Sequence, residues 1–136
     1  MVKAEADLVV YVVDDDASVR SGLARLMRSA GLRTITFDGG EAFLAHALQG
    51  AAGCVVLDIS MPCLDGLQVQ ARLAQAAVGI PMIALSARDD DETRRLARAL
   101  GARFFLRKPV DDQALLDAID WVTGSGGAAP AAAPPR

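Results

Sequence analysis

The stretch Leu8-Val9-Val10-Tyr11-Val12-Val13-Asp14-Asp15-Asp16 decides the fold, because a run of apolar, mostly β-branched residues leads directly into three aspartates. A continuous apolar run without polar alternation predicts a strand buried on both faces, as in a parallel sheet. A second run, Cys54-Val55-Val56-Leu57, leads in the same way into Asp58. Neighbouring parallel strands end at one edge of a sheet, so we expect the carboxylates of Asp14, Asp15 and Asp58 to meet there.

Strand-like and helix-like segments alternate along the rest of the chain. The predicted strands are residues 8–13, 33–37, 54–59, 81–86 and 103–107, and a helical pattern follows each of them. In the third helix the inward positions are Leu67, Val69, Leu73 and Ala77. Five such units predict an α/β fold in which helices cover both faces of a parallel sheet.

Length and composition limit the classes of function. The 136 residues, 52% of them hydrophobic, suffice for one domain, which we expect to span residues 1–123. Residues 124–136 contain only Gly, Ser, Ala, Pro and one Arg, which predicts a flexible tail or linker. The formal net charge of −3 gives no support for binding to nucleic acid or to an anionic membrane. Without an apolar span or a secretory signal pattern, a cytoplasmic protein is expected.

The acidic edge predicts phosphate chemistry with a divalent cation. Three carboxylates, from Asp14, Asp15 and Asp58, and the ammonium of Lys108 carry a net charge of −2 when all are ionised. One Mg²⁺ (or Mn²⁺) cancels that charge, and the site no longer repels a phosphoryl group. A carboxylate is able to accept that group as an acyl phosphate, and Ser86 follows a neighbouring strand as a hydrogen-bond donor.

The order of these motifs resembles the receiver domain of two-component response regulators, over residues 8–122. The matching segments are Val13-Asp14-Asp15, Leu57-Asp58-Ile59-Ser60-Met61-Pro62 with Asp65-Gly66, Ala84-Leu85-Ser86-Ala87, Gly101-Ala102 and Lys108-Pro109. The resemblance implies a flavodoxin-like doubly wound fold with a five-stranded parallel sheet in the order 2-1-3-4-5.

The resemblance also assigns a role to each site residue. Asp58 is the expected phosphoacceptor, and Mg²⁺ is expected on Asp14, Asp15, Asp58 and the backbone carbonyl of Ser60. Lys108 pairs with the phosphoryl oxygens, Ser86 and Phe105 form the switch pair, and Pro109 follows a cis peptide bond. Asp16 either is a further acidic site residue or caps the first helix, a position that Ser18 also suits. Arg88 is expected to overhang the phosphoryl group and to affect how long it persists.

The function implied is a phosphorylation switch and not an enzyme that turns over an external substrate. A sensor histidine kinase or a histidine phosphotransfer protein supplies the phosphoryl group, and the surface of the fourth helix, fifth strand and fifth helix is remodelled. That surface carries a charge contrast, with arginines 94, 95 and 98 on one helix and aspartates 111, 112, 117 and 120 on the next. These charges are either ordinary solvated faces or a surface for a phosphorylation-dependent homodimer. No recognition helix or basic patch is present, so direct binding to DNA is not expected.

The acidic residues are also compatible with two other functions, a phosphatase and a module that only binds. The segment Asp14-Asp15-Asp16-Ala17-Ser18 also resembles the nucleophile loop of haloacid dehalogenase-like phosphatases, with Asp14 as nucleophile and Asp16 as acid/base. That interpretation leaves Asp58 without a role. The other alternative is a degenerate receiver that acts only as a binding module, which the retained acidic residues disfavour.

Overall fold

Five βα units follow one another in the computed structural model, which describes residues 9–49, 53–59, 66–76, 79–87 and 90–124. The strands are β1 (Val9–Val13), β2 (Arg33–Phe37), β3 (Gly53–Asp58), β4 (Met82–Ser86) and β5 (Ala102–Arg107). The helices are α1 (Ala17–Ser29), α2 (Gly40–Ala47), α3 (Gly66–Gln75), α4 (Asp91–Ala99) and α5 (Asp112–Val122). The predicted strands are confirmed to within one or two residues at their ends.

The strands form one parallel sheet in the order β2-β1-β3-β4-β5, which confirms the predicted flavodoxin-like topology. The register pairs Val13 of β1 with Leu57 of β3. The next residue on each strand is an aspartate, so Asp14 and Asp58 emerge side by side at the carboxyl edge. On the other side of β3, Asp58 pairs with Leu85, which places Ser86 at the same edge.

Both faces of the sheet are buried, which explains why its inner strands show no polar alternation. One face packs against α2, α3 and α4 in a core that includes Tyr11, Phe43, Val69 and Phe105. The other face packs against α1 and α5 in a core that includes Val12, Met27, Ile83 and Leu115. Burial of each large apolar side chain stabilises the fold by roughly 1.5–3 kcal/mol.

Aspartate side chains cap the N-termini of three helices. The carboxylate of Asp16 accepts hydrogen bonds from the backbone N–H groups of Ser18 (2.9 Å) and Val19 (3.2 Å), so Asp16 and not Ser18 is the N-cap of α1. Asp90 caps α4 and Asp111 caps α5 in the same way. Each such cap contributes about 1 kcal/mol to helix stability.

The third helix differs from its predicted pattern. Val69 and Leu73 are buried as predicted, but Gln70 is also fully buried, and its polar side chain gave no sign of this in the sequence. Ala77, Ser60 and Arg88 lie outside the described residues, as do residues 125–136 of the predicted tail, and the boundary at residue 123 stays a prediction. Within the described ranges, no helix has both the length and the apolar character needed to cross a membrane.

Two glycines provide a matched test of the packing between β1 and β3. At the start of β3, Gly53 has a φ of +124°, and a Cβ there would overlap the backbone of Val9. We expect Gly53→Ala to lower the free energy of unfolding by about 2 kcal/mol or more, because the backbone strain and the steric overlap add.

The control is Gly22, inside α1, where an added Cβ meets no atom within 4 Å. Gly22→Ala should raise the free energy of unfolding by about 0.5–1 kcal/mol. Urea unfolding measures both, and a stable Gly53→Ala variant would contradict the described register.

Candidate functional site

The position of Asp14 is set by contacts to its backbone and its side chain. Its N–H donates to the carbonyl of Phe37 on β2 at 3.1 Å. Its carbonyl accepts from Nη1 of Arg20 at 2.8 Å. Its Oδ1 accepts from the N–H of Asp16 at 2.9 Å, and the residue is 1% exposed. These contacts fix the direction of the Asp14 carboxylate.

The predicted acidic cluster is present. Ligand oxygens of Asp14, Asp15 and Asp58 all lie within 4.8 Å of one another. Asp14 and Asp58 are buried, whereas Asp15 is exposed. Two buried carboxylates at this separation repel each other strongly unless a cation lies between them.

Lys108 supplies a positive charge to the buried pair. Its Nζ lies 3.0 Å from Oδ2 of Asp14 and 3.2 Å from Oδ2 of Asp58. Its backbone N–H donates to the carbonyl of Ser86 at 2.9 Å, which ties it to the end of β4. The Lys108–Pro109 peptide bond is cis.

The carboxylates alter the titration of Lys108. Burial by itself lowers the pKa of the ammonium, but hydrogen bonds and Coulombic attraction from Asp14 and Asp58 outweigh it, so the pKa is raised above its ordinary value. A raised lysine pKa contributes stability that is fully present below the unfolded value of about 10.4 and is lost as the pH rises through the folded value. Lys108 is therefore protonated at neutral pH.

The cluster suits a hard divalent cation. With Lys108 included, the three carboxylates keep a net charge of −2 when ionised, and their oxygens are the ligands that Mg²⁺ and Mn²⁺ prefer. Oδ2 of Asp14 is buried and lies 3.0 Å from the Lys108 ammonium, and among the described residues no donor other than Lys108 reaches it. That oxygen retains capacity for a further positive ligand. Ser60, whose carbonyl was predicted to join the metal ligands, lies outside the described residues.

The predicted switch residues, Ser86 and Phe105, lie on the neighbouring strands β4 and β5. Ser86 is fully buried at the end of β4, next to β5. Phe105 of β5 pairs with Ala84 of β4 and is 5% exposed. The guanidinium of Arg94, on α4, lies 5.1 Å from the centroid of the Phe105 ring. A cation over an aromatic face at this distance is attractive, so Phe105 is in direct contact with α4.

Arg20 and Arg94 were not predicted as site residues. Both lie on helices rich in arginine, and periodicity alone does not tell which arginine turns back toward the sheet. Asp16, the alternative site residue, is not in the acidic cluster, because its carboxylate caps α1.

Comparison with known proteins agrees with this geometry. A family model described as the response regulator receiver domain matches residues 10–120. Response regulator protein TmoT of Ectopseudomonas mendocina is 41% identical over 115 residues, which are 85% of this chain and 52% of that protein. The chain spans about half the length of the curated relatives it matches.

Solved structures show the same likeness. The response regulator StyR is 42% identical with a TM-score of 0.81, over 90% of this chain and 62% of that chain. A receiver protein from Burkholderia phymatum is 41% identical with a TM-score of 0.73, over 86% and 95% of the two chains. These matches support the receiver interpretation and do not support a haloacid dehalogenase-like phosphatase.

The charge balance of the site is tested by a double-mutant cycle in metal-free buffer. Lys108→Met leaves Asp14 and Asp58 without this neutralising ammonium, and we expect it to lower the free energy of unfolding by about 1–3 kcal/mol. Asp58→Asn in the same background should remove much of that loss, because one of the two repelling charges disappears. The expected coupling is about 0.5–3 kcal/mol in urea unfolding. Additive effects would contradict an ion-paired site.

Proposed function

The chain belongs to the family of response regulator receiver domains, and on that premise we propose that it is a signalling switch that accepts a phosphoryl group on Asp58. The observation that carries the proposal is the convergence at one sheet edge of the buried Asp58 carboxylate, two further carboxylates and the Lys108 ammonium. The same arrangement supports phosphoryl transfer with a divalent cation, which Asp14, Asp15, Asp58 and the backbone carbonyl of Ser60 would hold.

Phosphoryl transfer makes one bond and breaks one bond. A carboxylate oxygen of Asp58 attacks the phosphorus in line, while the bond from phosphorus to the donor nitrogen breaks and the electron pair stays on that nitrogen. A bound Mg²⁺ supplies charge neutralisation at the phosphoryl oxygens. Lys108 moves from the Asp58 carboxylate to a phosphoryl oxygen, a short displacement because its ammonium already lies 3.2 Å from Asp58 Oδ2. The product is an acyl phosphate.

The phosphodonor we propose is the phosphohistidine of a sensor histidine kinase or of a histidine phosphotransfer protein. The same residues then hold the acyl phosphate while water hydrolyses it, which returns the switch to its first state. The protein thus catalyses its own phosphorylation and dephosphorylation without turning over an external substrate.

The contacts around Phe105 support a route by which phosphorylation of Asp58 changes the position of α4. The new phosphoryl group, a dianion, attracts the Ser86 hydroxyl, and the space beside β5 changes shape. Phe105 repacks in response, and Arg94 on its ring carries the change into α4. The surface of α4, β5 and α5 is thereby remodelled for a partner.

Incubation with a small phosphodonor such as acetyl phosphate tests the assignment. We expect an Mg²⁺-dependent increase in mass that maps to Asp58 and is absent in Asp58→Asn, because Asp58 matches the phosphoacceptor position of receiver domains, whereas Oδ1 of the other buried carboxylate, Asp14, already accepts a hydrogen bond from the N–H of Asp16. Asp16→Asn is the matched control, since it changes a nearby aspartate whose side chain caps α1. That variant should be phosphorylated like the wild type.

Other outcomes would overturn the proposal. An adduct on Asp14 with continued release of phosphate would establish a phosphatase. No adduct from acetyl phosphate or from phosphorylated histidine phosphotransfer protein would leave a module that only binds.

The charges of α4 and α5 support a further proposal, that phosphorylation promotes a homodimer. Arg95 and Arg98 on α4 are exposed, as are Asp117 and Asp120 on α5. Two copies related by a twofold axis would bring each basic helix against an acidic one. We expect Arg95→Glu to abolish or weaken by about tenfold the dimerisation of the phosphorylated protein. Light scattering after size exclusion measures this, and Arg25→Glu on α1 is the control. Unchanged dimerisation would contradict the proposal.

A further inference from the structure

Gln70 joins α3 to α4 at the end of the sheet opposite the acidic cluster. Its side chain is fully buried, and its Nε2 donates to the backbone carbonyl of Ala97 at 2.9 Å. In a continuing helix the N–H of Gly101 would reach that carbonyl, but it donates instead to Arg98 at 3.1 Å. Gln70 therefore supplies, from another helix, the hydrogen bond that the end of α4 lacks.

Only one end of the Gln70 side-chain amide is hydrogen-bonded. Its Oε1 is buried and, within the described part of the chain, has no hydrogen-bond partner. A buried amide with one unpaired end costs free energy in this arrangement. The hydrogen bond to Ala97 therefore holds α4 less firmly than a fully paired contact would.

Few side chains of α4 are fully buried against the sheet. Ala97 is its one buried residue, whereas α5 buries Leu115, Ala118, Ile119 and Val122. Next to Leu100, the residue that follows α4, lies an open pocket of about 330 Å³, lined by Gln70, Leu73, Ile80, Met82, Leu100 and Arg103 among others. A helix that buries one side chain and ends beside an open pocket is able to shift without overpacking the core.

We propose that Gln70 is a latch that holds α4 in the position described here, and that α4 leaves this position when Asp58 is phosphorylated. This inference rests on the proposed function. Phosphorylation acts on α4 from the side of Phe105 and Arg94, and Gln70 opposes it from the other end of the helix. Weakening the latch must then favour the phosphorylated form, because the two effects are linked through one equilibrium.

Gln70→Glu tests the latch, since it keeps the shape of the side chain and replaces the donor with an acceptor that faces the Ala97 carbonyl. At pH 8 we expect backbone amides of α4 to exchange hydrogen about tenfold faster or more. We also expect beryllofluoride with Mg²⁺, a mimic of the phosphoryl group, to bind about three- to tenfold more tightly than to the wild type. Gln70→Met removes the donor without adding charge and should shift both measurements in the same direction.

Val69→Ala is the matched control. It removes methyl groups from the neighbouring buried residue of α3 and destabilises the fold without touching the hydrogen bond to Ala97. A latch predicts tighter beryllofluoride binding only for the Gln70 variants, whereas a merely structural role predicts no tightening in any of them.

The outcomes separate the latch from the proposed function. Unchanged exchange in α4, or unchanged beryllofluoride affinity in both Gln70 variants, would overturn the latch alone when the wild type binds beryllofluoride through Asp58. A wild type that shows no Asp58-dependent binding would overturn the proposed function and the latch with it. Faster exchange together with tighter binding would establish the latch.

Discussion

The repulsion between the buried carboxylates of Asp14 and Asp58 is the constraint on which the rest of the structure depends. Parallel pairing of β1 and β3 brings both groups to one edge, and the register leaves neither strand free to turn its aspartate away. Lys108 offsets part of that repulsion, because its ammonium lies within 3.2 Å of both side chains. The remaining negative charge makes the edge receptive to a divalent cation and, with that cation, to a phosphoryl group. Stability is lower here than an apolar edge would allow, because the two buried charges are only partly compensated.

The fold tolerates this charge because it fixes each participant through its backbone. Asp14 is held between β2 and α1, and Lys108 is tied to the carbonyl of Ser86. β1, which leads into Asp14, has both faces buried. A site built in this way has its geometry in place before a ligand arrives, which reduces the reorganisation needed during phosphoryl transfer.

The helix that we propose as the output element has the opposite character. One buried alanine, the cation–π contact of Arg94 with Phe105 and the hydrogen bond from Gln70 hold α4 to the body of the domain. Elements that move in a switch are drawn from the less stable parts of a structure, because a small change in free energy must suffice to displace them. An acidic edge fixed by backbone contacts, beside a helix that buries one side chain, is the physical basis we propose for converting a chemical change at Asp58 into a change of surface.

The sequence by itself determined the five βα units, the sheet order through the family resemblance, and the meeting of Asp14, Asp15 and Asp58. These follow from patterns that are local, such as apolar runs and the residue that ends each run, and from parallel strands sharing an edge. Only the tertiary structure decided that Asp16 caps α1, that Arg20 holds the Asp14 carbonyl, that Arg94 covers Phe105 and that Gln70 enters the core. Each of these depends on which way a polar side chain turns between elements distant in sequence or at a helix end. Periodicity records the burial of apolar residues, but it carries no signal for a polar group that is placed by one hydrogen bond to another element.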